Sequence, residues 1–416
     1  MRNHRPPLVA VPTVLSALAL VACAPGTATP PEPGDTAATT AATATEVSSL
    51  TPRVVLSHDD GLLTIDAATG ETVAETGQPG FLRLNPAGDG RHVLVSGPDG
   101  FQVFDAGICE QPHGDHSHFY EQHPALTDIV LPSGKAGHVI TNAGRTSLFS
   151  DAEGASRTFT QSGPESLSEG TPDFTTHETG AAHHGVAVPL ADGTLLTTVG
   201  TEEHRDTVRQ VDGDEVLAET TDCPGVHGSA IAGEAVVFGC ENGPVVFSGG
   251  EFRKVAVDTD YQRSGNMAAA PGSPIVLADH KTDPDAEQER PTQVALIDAE
   301  SAELQLVELD SSYWFRSLAR GPEGEALVLT YDGDLVTIDE KTGEIVRETP
   351  VVEPWEEKEN WQEPGPMVQV AGDTAYVTDA GNNELVLVDL TEGDVTGRFE
   401  LPVTPVEMAV VTGEAD

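Results

Sequence analysis

Many of the chain's 14 histidines fall within one third of its length, among them His113, His116, His118, His123, His177, His183, His184 and His227. The densest stretch is Pro112-His113-Gly114-Asp115-His116-Ser117-His118-Phe119-Tyr120-Glu121-Gln122-His123. An imidazole nitrogen is a good donor to zinc, which usually takes four nitrogen, sulfur or oxygen ligands in tetrahedral array. A flexible HxxHxH stretch lets several such donors converge on one ion, and Asp115 adds an oxygen. A surface loop alone would exchange metal readily and would not form a rigid site.

A second set comes from two matching segments, His183-His184-Gly185-Val186-Ala187-Val188 and Val226-His227-Gly228-Ser229-Ala230-Ile231. In each, a His-Gly pair precedes a β-prone run, so matching positions are expected for His184 and His227. His183 ranks below His184 because adjacent strand residues face opposite ways. His123, ahead of Leu126-Thr127-Asp128-Ile129-Val130, is expected to enter the same way one unit earlier. His177 is an intermediate candidate, and a histidine of the flexible loop, Asp115 or Glu178 could supply a fourth donor. His58, His92, His138, His204 and His280 read as ordinary surface or strand residues.

The elements that must position these side chains show in a repeat from about Arg53 onward. A short β-rich run, a turn with Gly, Asp or Asn, and a second run ending in an acidic residue recur. Examples are Val54-Val55-Leu56 leading to Gly61-Leu62-Leu63-Thr64-Ile65-Asp66, and His92-Val93-Leu94-Val95 leading to Gly100-Phe101-Gln102-Val103-Phe104-Asp105. The period of about 40 to 50 residues is that of four-stranded propeller blades, which bury their faces by stacking around an axis. The expectation is an all-β chain with a single β-propeller of eight blades, seven with one irregular unit being the alternative. First strands near Val54 should pair with the last near Val406 to close the ring. The histidine-dense stretch is then a loop between the second and third blades, while His184 and His227 start innermost strands beside the central channel. The endings Asp66-Ala67-Ala68-Thr69-Gly70, Asp339-Glu340-Lys341-Thr342-Gly343 and Asp389-Leu390-Thr391-Glu392-Gly393 read as structural hairpin turns between outer strands.

Composition narrows the function classes. With 21 basic against 68 acidic residues the formal charge is −47, which would repel a nucleic-acid backbone or an anionic membrane surface. At the start, Arg2 and Arg5 precede an apolar run from Leu8 to Ala22, a secretion signal in pattern. Its end, Leu20-Val21-Ala22-Cys23, matches a bacterial lipobox with Cys23 as the lipidated residue. The organisation expected is a signal peptide over 1–22, a lipid-anchored disordered linker over 23–50 and a propeller domain over 51–416. The chain would then sit outside the cytoplasmic membrane, on the outer face of a bacterial cell membrane, touching it only through lipid. Cys109, Cys223 and Cys240 remain for an oxidising compartment. Cys223 and Cys240 flank one predicted hairpin and are the favoured disulfide, although Cys109 could replace either.

Signal, propeller repeat, the loop His113-Gly114-Asp115-His116-Ser117-His118 and the His-Gly strand starts together resemble the AztD family of zinc metallochaperones. The resemblance implies an extracytoplasmic β-propeller that binds Zn2+ and hands it to the solute-binding protein of a zinc ABC transporter. A lipid anchor departs from a freely periplasmic chaperone. Enzymes built on propellers are the rival class, including a zinc-dependent hydrolase with Glu178 as general base, or a dehydrogenase. No GxSxG elbow or HExxH helix motif occurs, and the three tryptophans form no blade motif. A third class is an interaction scaffold whose histidines are incidental; in the favoured reading the chain acts as a monomer. The four methionines form no cluster, which weighs against copper(I).

Overall fold

The computed structural model describes residues 44–161, 167–168 and 170–415 of the 416. The signal peptide, Cys23 and most of the expected linker therefore lie outside the described residues. No helix long and apolar enough to cross a membrane occurs among those described.

Among the described residues, eight four-stranded antiparallel sheets form, each a blade. Seven are built from consecutive segments whose first strand is innermost: Arg83–Pro86, Ala136–Asn142, Ala187–Pro189, Ser229–Ala232, Met267–Ala269, Leu318–Arg320 and Met367–Ala371 open the second to eighth blades. The first blade takes its inner strand from the end of the chain. Met408–Val411 pairs with Arg53–His58, with Val54 opposite Val410 and Leu56 opposite Met408, so the ring closes as expected.

Alternation along each strand explains the packing. In Arg53–His58, Val54 and Leu56 pack against Tyr376, Leu385 and Leu387 of the eighth blade, whereas Val55 packs against Leu84, Val93, Val95 and Phe104 of the second. Both faces are buried, so the strands read as unbroken apolar runs. The Asp endings are structural: Asp66 Oδ1 accepts from the Ala68 and Thr69 amides at 3.0 and 2.9 Å, and Asp339 and Asp389 do the same in their turns. Cys223 and Cys240 are disulfide-bonded across the start of the fifth blade, and Cys109 is buried in a separate strand, Ile108–His113.

Two expectations need correction. The histidine-dense stretch is not a loop between the second and third blades. It is a β-hairpin, Ile108–His113 with His116–Glu121, inserted within the second blade between its third strand, Gly100–Asp105, and its outermost strand, Ala125–Pro132. Nor is the linker unstructured throughout its span to 50: Thr45–Val47 pairs with His116–Glu121, which otherwise would expose an unpaired edge.

Ring closure is a long-range contact on which every blade depends. Deleting 404–416 should lower the midpoint of thermal unfolding by about 10 °C or more and broaden the transition, because two blade faces lose their cover. Circular dichroism melts of the full and shortened chains check this.

Candidate metal centre

The innermost strands all run the same way, so their N-terminal ends gather at one end of the channel. Three histidines meet there. His138 lies in the inner strand of the third blade, His184 just ahead of that of the fourth, and His227 just ahead of that of the fifth. One ligand atom from each lies within 4.8 Å of the others. His138 Nε2 and His184 Nε2 are 3.0 Å apart, and the His184 and His227 rings lie 5.1 Å centre to centre.

Local sequence explains the placement of the two His-Gly pairs. Gly185 passes so close to Phe149 and Thr198 that a Cβ would fall 2.4 Å from the Phe149 ring. Gly228 has φ +72° and would bring a Cβ to 2.5 Å from the Gly265 carbonyl oxygen. Glycine thus lets the chain turn into the strand immediately after each histidine. In the third blade the order is reversed, Gly137-His138, and the pairing with the next strand shifts register between Ala136 and Val139. Such an irregularity re-aims a side chain, and here it accompanies His138 facing the channel.

Hydrogen bonds set the tautomers. His184 Nδ1 lies 2.7 Å from Asp151 Oδ2, and His227 Nδ1 lies 2.9 Å from the Gly265 carbonyl oxygen. Carboxylate and carbonyl can only accept, so each Nδ1 carries the proton and each Nε2 keeps its lone pair. Burial pushes the His227 imidazolium down to about 4, with the charges of His184, Arg263 and Arg205 adding to it and the Gly265 carbonyl opposing. Burial also holds His138 well below the ordinary histidine range, helped by His227, His184, Arg83 and Arg205. Both rings are therefore neutral near pH 7 with donors ready. The triad opens into a cavity of about 730 Å3 whose walls include Asp151, Ser229, Arg263, Lys281 and Trp361. Three imidazoles with one position left open suit a tetrahedral cation such as zinc.

The second cluster is on the hairpin. His113 pairs directly with His116, and His118 lies two residues along the same strand, so all three share one face. Their ligand atoms also lie within 4.8 Å of one another. His118 Nδ1 is 2.7 Å from Glu46 Oε1 on the strand that edges the hairpin, and His116 Nδ1 is 3.3 Å from Asp115 Oδ1. This cluster is at the opposite end of the ring. The hairpin leaves the second blade after Asp105, the C-terminal end of a third strand, and the Glu110 amide donates to the carbonyl of Gly413, beyond the C-terminal end of an inner strand. Neither a hairpin histidine nor Asp115 can then complete the channel triad.

The other candidates are not brought to either cluster. His183 is buried away from the channel, 5.1 Å from the Phe149 ring, with Nδ1 2.9 Å from the Ala181 carbonyl oxygen. His123 is exposed at the foot of the hairpin before an outermost strand, so it does not enter as His184 does. His177 and Glu178 lie on Thr175–Glu178, the outermost strand of the third blade, and line a rim groove. Glu178 consequently cannot serve the channel site as donor or base. His138 reads from sequence as an ordinary strand residue, yet the channel holds it; its place about one blade period before His184, at a strand start, is the signal that marks it.

No family model matches the chain. Along 86% of its length it is similar to the zinc chaperone AztD of Citrobacter koseri, 25% identical over 378 residues that span 86% of that protein. The crystal structure of Citrobacter koseri AztD superposes with a TM-score of 0.75 at 23% identity, covering 88% of this chain and 99% of that one. The apo form of that protein gives 0.73 at 22% identity, with the same coverage. The dihydro-heme d1 dehydrogenase NirN, at 13% identity and a TM-score of 0.54 over 87% of this chain, shares the fold alone. The resemblance to the AztD family drawn from the histidine motifs and the propeller repeat thus extends over most of the chain.

Two outcomes follow from the triad's hydrogen bonds and burial. An Asp151→Asn variant should bind zinc about 10- to 100-fold more weakly in competition with a chromophoric chelator, because His184 loses its orienting carboxylate. In the metal-free protein, the unfolded chain binds more protons than the folded one between about pH 6.5 and pH 4, so His138 and His227 contribute stability that is lost as pH falls through that window. Urea unfolding across this range should show a shallower loss in a His138→Gln/His227→Gln variant than in the parent.

Proposed function

We propose that this protein is a zinc chaperone that loads the metal on His138, His184 and His227 and passes it to the solute-binding protein of a zinc ABC transporter. The observation that carries the reading is the convergence of three imidazoles whose Nδ1 protons, at His184 and His227, are held by other groups while Nε2 faces the channel. Similarity to a protein named as a zinc chaperone, along most of both chains, supports it. Three protein donors with an open position favour transfer, since an incoming ligand can bind before an old one leaves and no free ion need form.

A zinc hydrolase also keeps an open position, but it needs a general base within reach. Asp151 is the only carboxylate among the described residues lining the cavity, and it is engaged with His184. A carrier is therefore the better reading than an enzyme. The hairpin histidines with Glu46 form a second, exposed zinc site at the other end of the ring, suited to capture. Export as a lipoprotein through Cys23 would put both sites where an importer collects metal, with the chain acting as a monomer.

Zinc-loaded protein mixed with the apo solute-binding protein from the same organism should transfer metal faster than it releases zinc to a chelator that cannot dock. His138→Ala/His184→Ala/His227→Ala should abolish tight binding and transfer together. A triple alanine variant at His113, His116 and His118 should lose only the weaker equivalent. Transfer no faster than spontaneous release would make the protein a zinc buffer and overturn the chaperone reading.

A further inference from the structure

Resting on that reading, the surroundings of the triad carry one step more. Three imidazoles leave a tetrahedral ion one donor short, and the walls of the cavity are basic. Arg83, Lys135, Arg263 and Lys281 line it, in a chain where acidic residues outnumber basic ones 68 to 21. Arg205 is near enough for its charge to act on His138 and His227. Asp151, the one carboxylate in the described wall, is already shared between His184 Nδ1 and Lys135 Nζ, which is 3.9 Å away. A divalent cation on neutral donors in such a place is repelled by its own cavity. What relieves the repulsion is an anion.

We propose that the fourth coordination position is a carboxylate subsite, in which the carboxylate binds the metal directly and Arg263 and Lys281 hold it. Arg263 lines the same cavity as the triad. A carbon built on Gly265 would lie 3.5 Å from both Arg263 Nε and His227 Nδ1, so the guanidinium sits beside the His227 ring, on the side of Nδ1. Arg263 and Lys281 exchange backbone hydrogen bonds of 2.8 and 2.9 Å across an isolated bridge, which brings their side chains out side by side. A planar guanidinium matches a carboxylate's two oxygens, and an oxygen donor from a carboxylate is a usual fourth ligand for zinc. The carboxylate can be a free small acid or an acidic side chain of a docking protein. Either way, metal retention becomes coupled to the anion: when it leaves, the basic wall favours release.

Cobalt(II) in place of zinc reports the fourth donor through its visible absorption. In a non-coordinating buffer the cobalt-loaded protein is titrated with acetate, and separately with poly-L-glutamate. A saturable spectral change is expected with acetate if small acids enter, and with poly-L-glutamate at lower carboxylate concentration if the subsite serves a macromolecule. Arg263→Gln and Lys281→Gln should each weaken carboxylate binding by about tenfold while holding cobalt more tightly than the parent when no carboxylate is present. The paired, opposite changes separate a charge effect from misfolding, which would weaken both. Cobalt bound at the triad with a spectrum indifferent to both probes, or carboxylate affinity unchanged in the two variants, overturns the subsite. With the hairpin histidines His113, His116 and His118 already replaced by alanine, cobalt that does not bind, or that stays bound when all three triad histidines are alanine too, overturns the proposed function instead.

Discussion

Everything at the metal centre depends on closure of the ring by the pairing of Met408–Val411 with Arg53–His58. Each blade buries both faces against its neighbours, so no blade has a stable face by itself. Closing the ring removes the last two uncovered faces, and it forces the inner strands to converge at a common axis. His138, His184 and His227 come from three different blades and meet only because of that convergence. The site's rigidity is thus borrowed from apolar packing, such as Val54 and Leu56 against the eighth blade, on the far side of the molecule from the histidines' own strands.

Within the site, hydrogen bonding and charge pull in different directions. Asp151 and the Gly265 carbonyl take the Nδ1 protons, so His184 and His227 present lone pairs without cost at the moment of binding. The arginines and lysines around them oppose a cation. A purely acidic cavity would hold zinc more strongly and surrender it slowly. A neutral donor set within a basic wall gives an affinity that an incoming anionic ligand can alter, as the proposed delivery requires. The hairpin cluster differs in kind: its histidines lie on a two-stranded ribbon braced by Glu46, exposed to solvent, and its donors face bulk water.

The two ends of the ring thus carry unlike sites. Antiparallel strands alternate direction within a blade, so a segment that follows a third strand must emerge at the end opposite the innermost strand's start. The histidine-dense stretch follows Gly100–Asp105 and is held there by Gly413 near the C-terminus. Its histidines are close to the channel set in sequence and in kind but not in space. Strand direction, which no side-chain pattern reports, separates them.

The sequence shows the fold class through a repeat of short apolar runs and Asp-Gly turns that stacked blades can bury, and it singles out His184 and His227 by their shared His-Gly step into a strand. It also paired Cys223 with Cys240 around one hairpin, as the fold has them. It did not reveal His138, whose glycine precedes rather than follows it and whose position lies where the strand pairing shifts register. Only the assembled blades show that His183 turns toward Phe149, that His123 precedes an outermost strand and His177 lies in one, and that basic side chains from the first strand of the second blade to the sixth gather around the triad. The reason is physical: periodicity along a chain records which residues are buried, while the direction a side chain faces and the company it keeps are fixed by how separate blades close upon one axis.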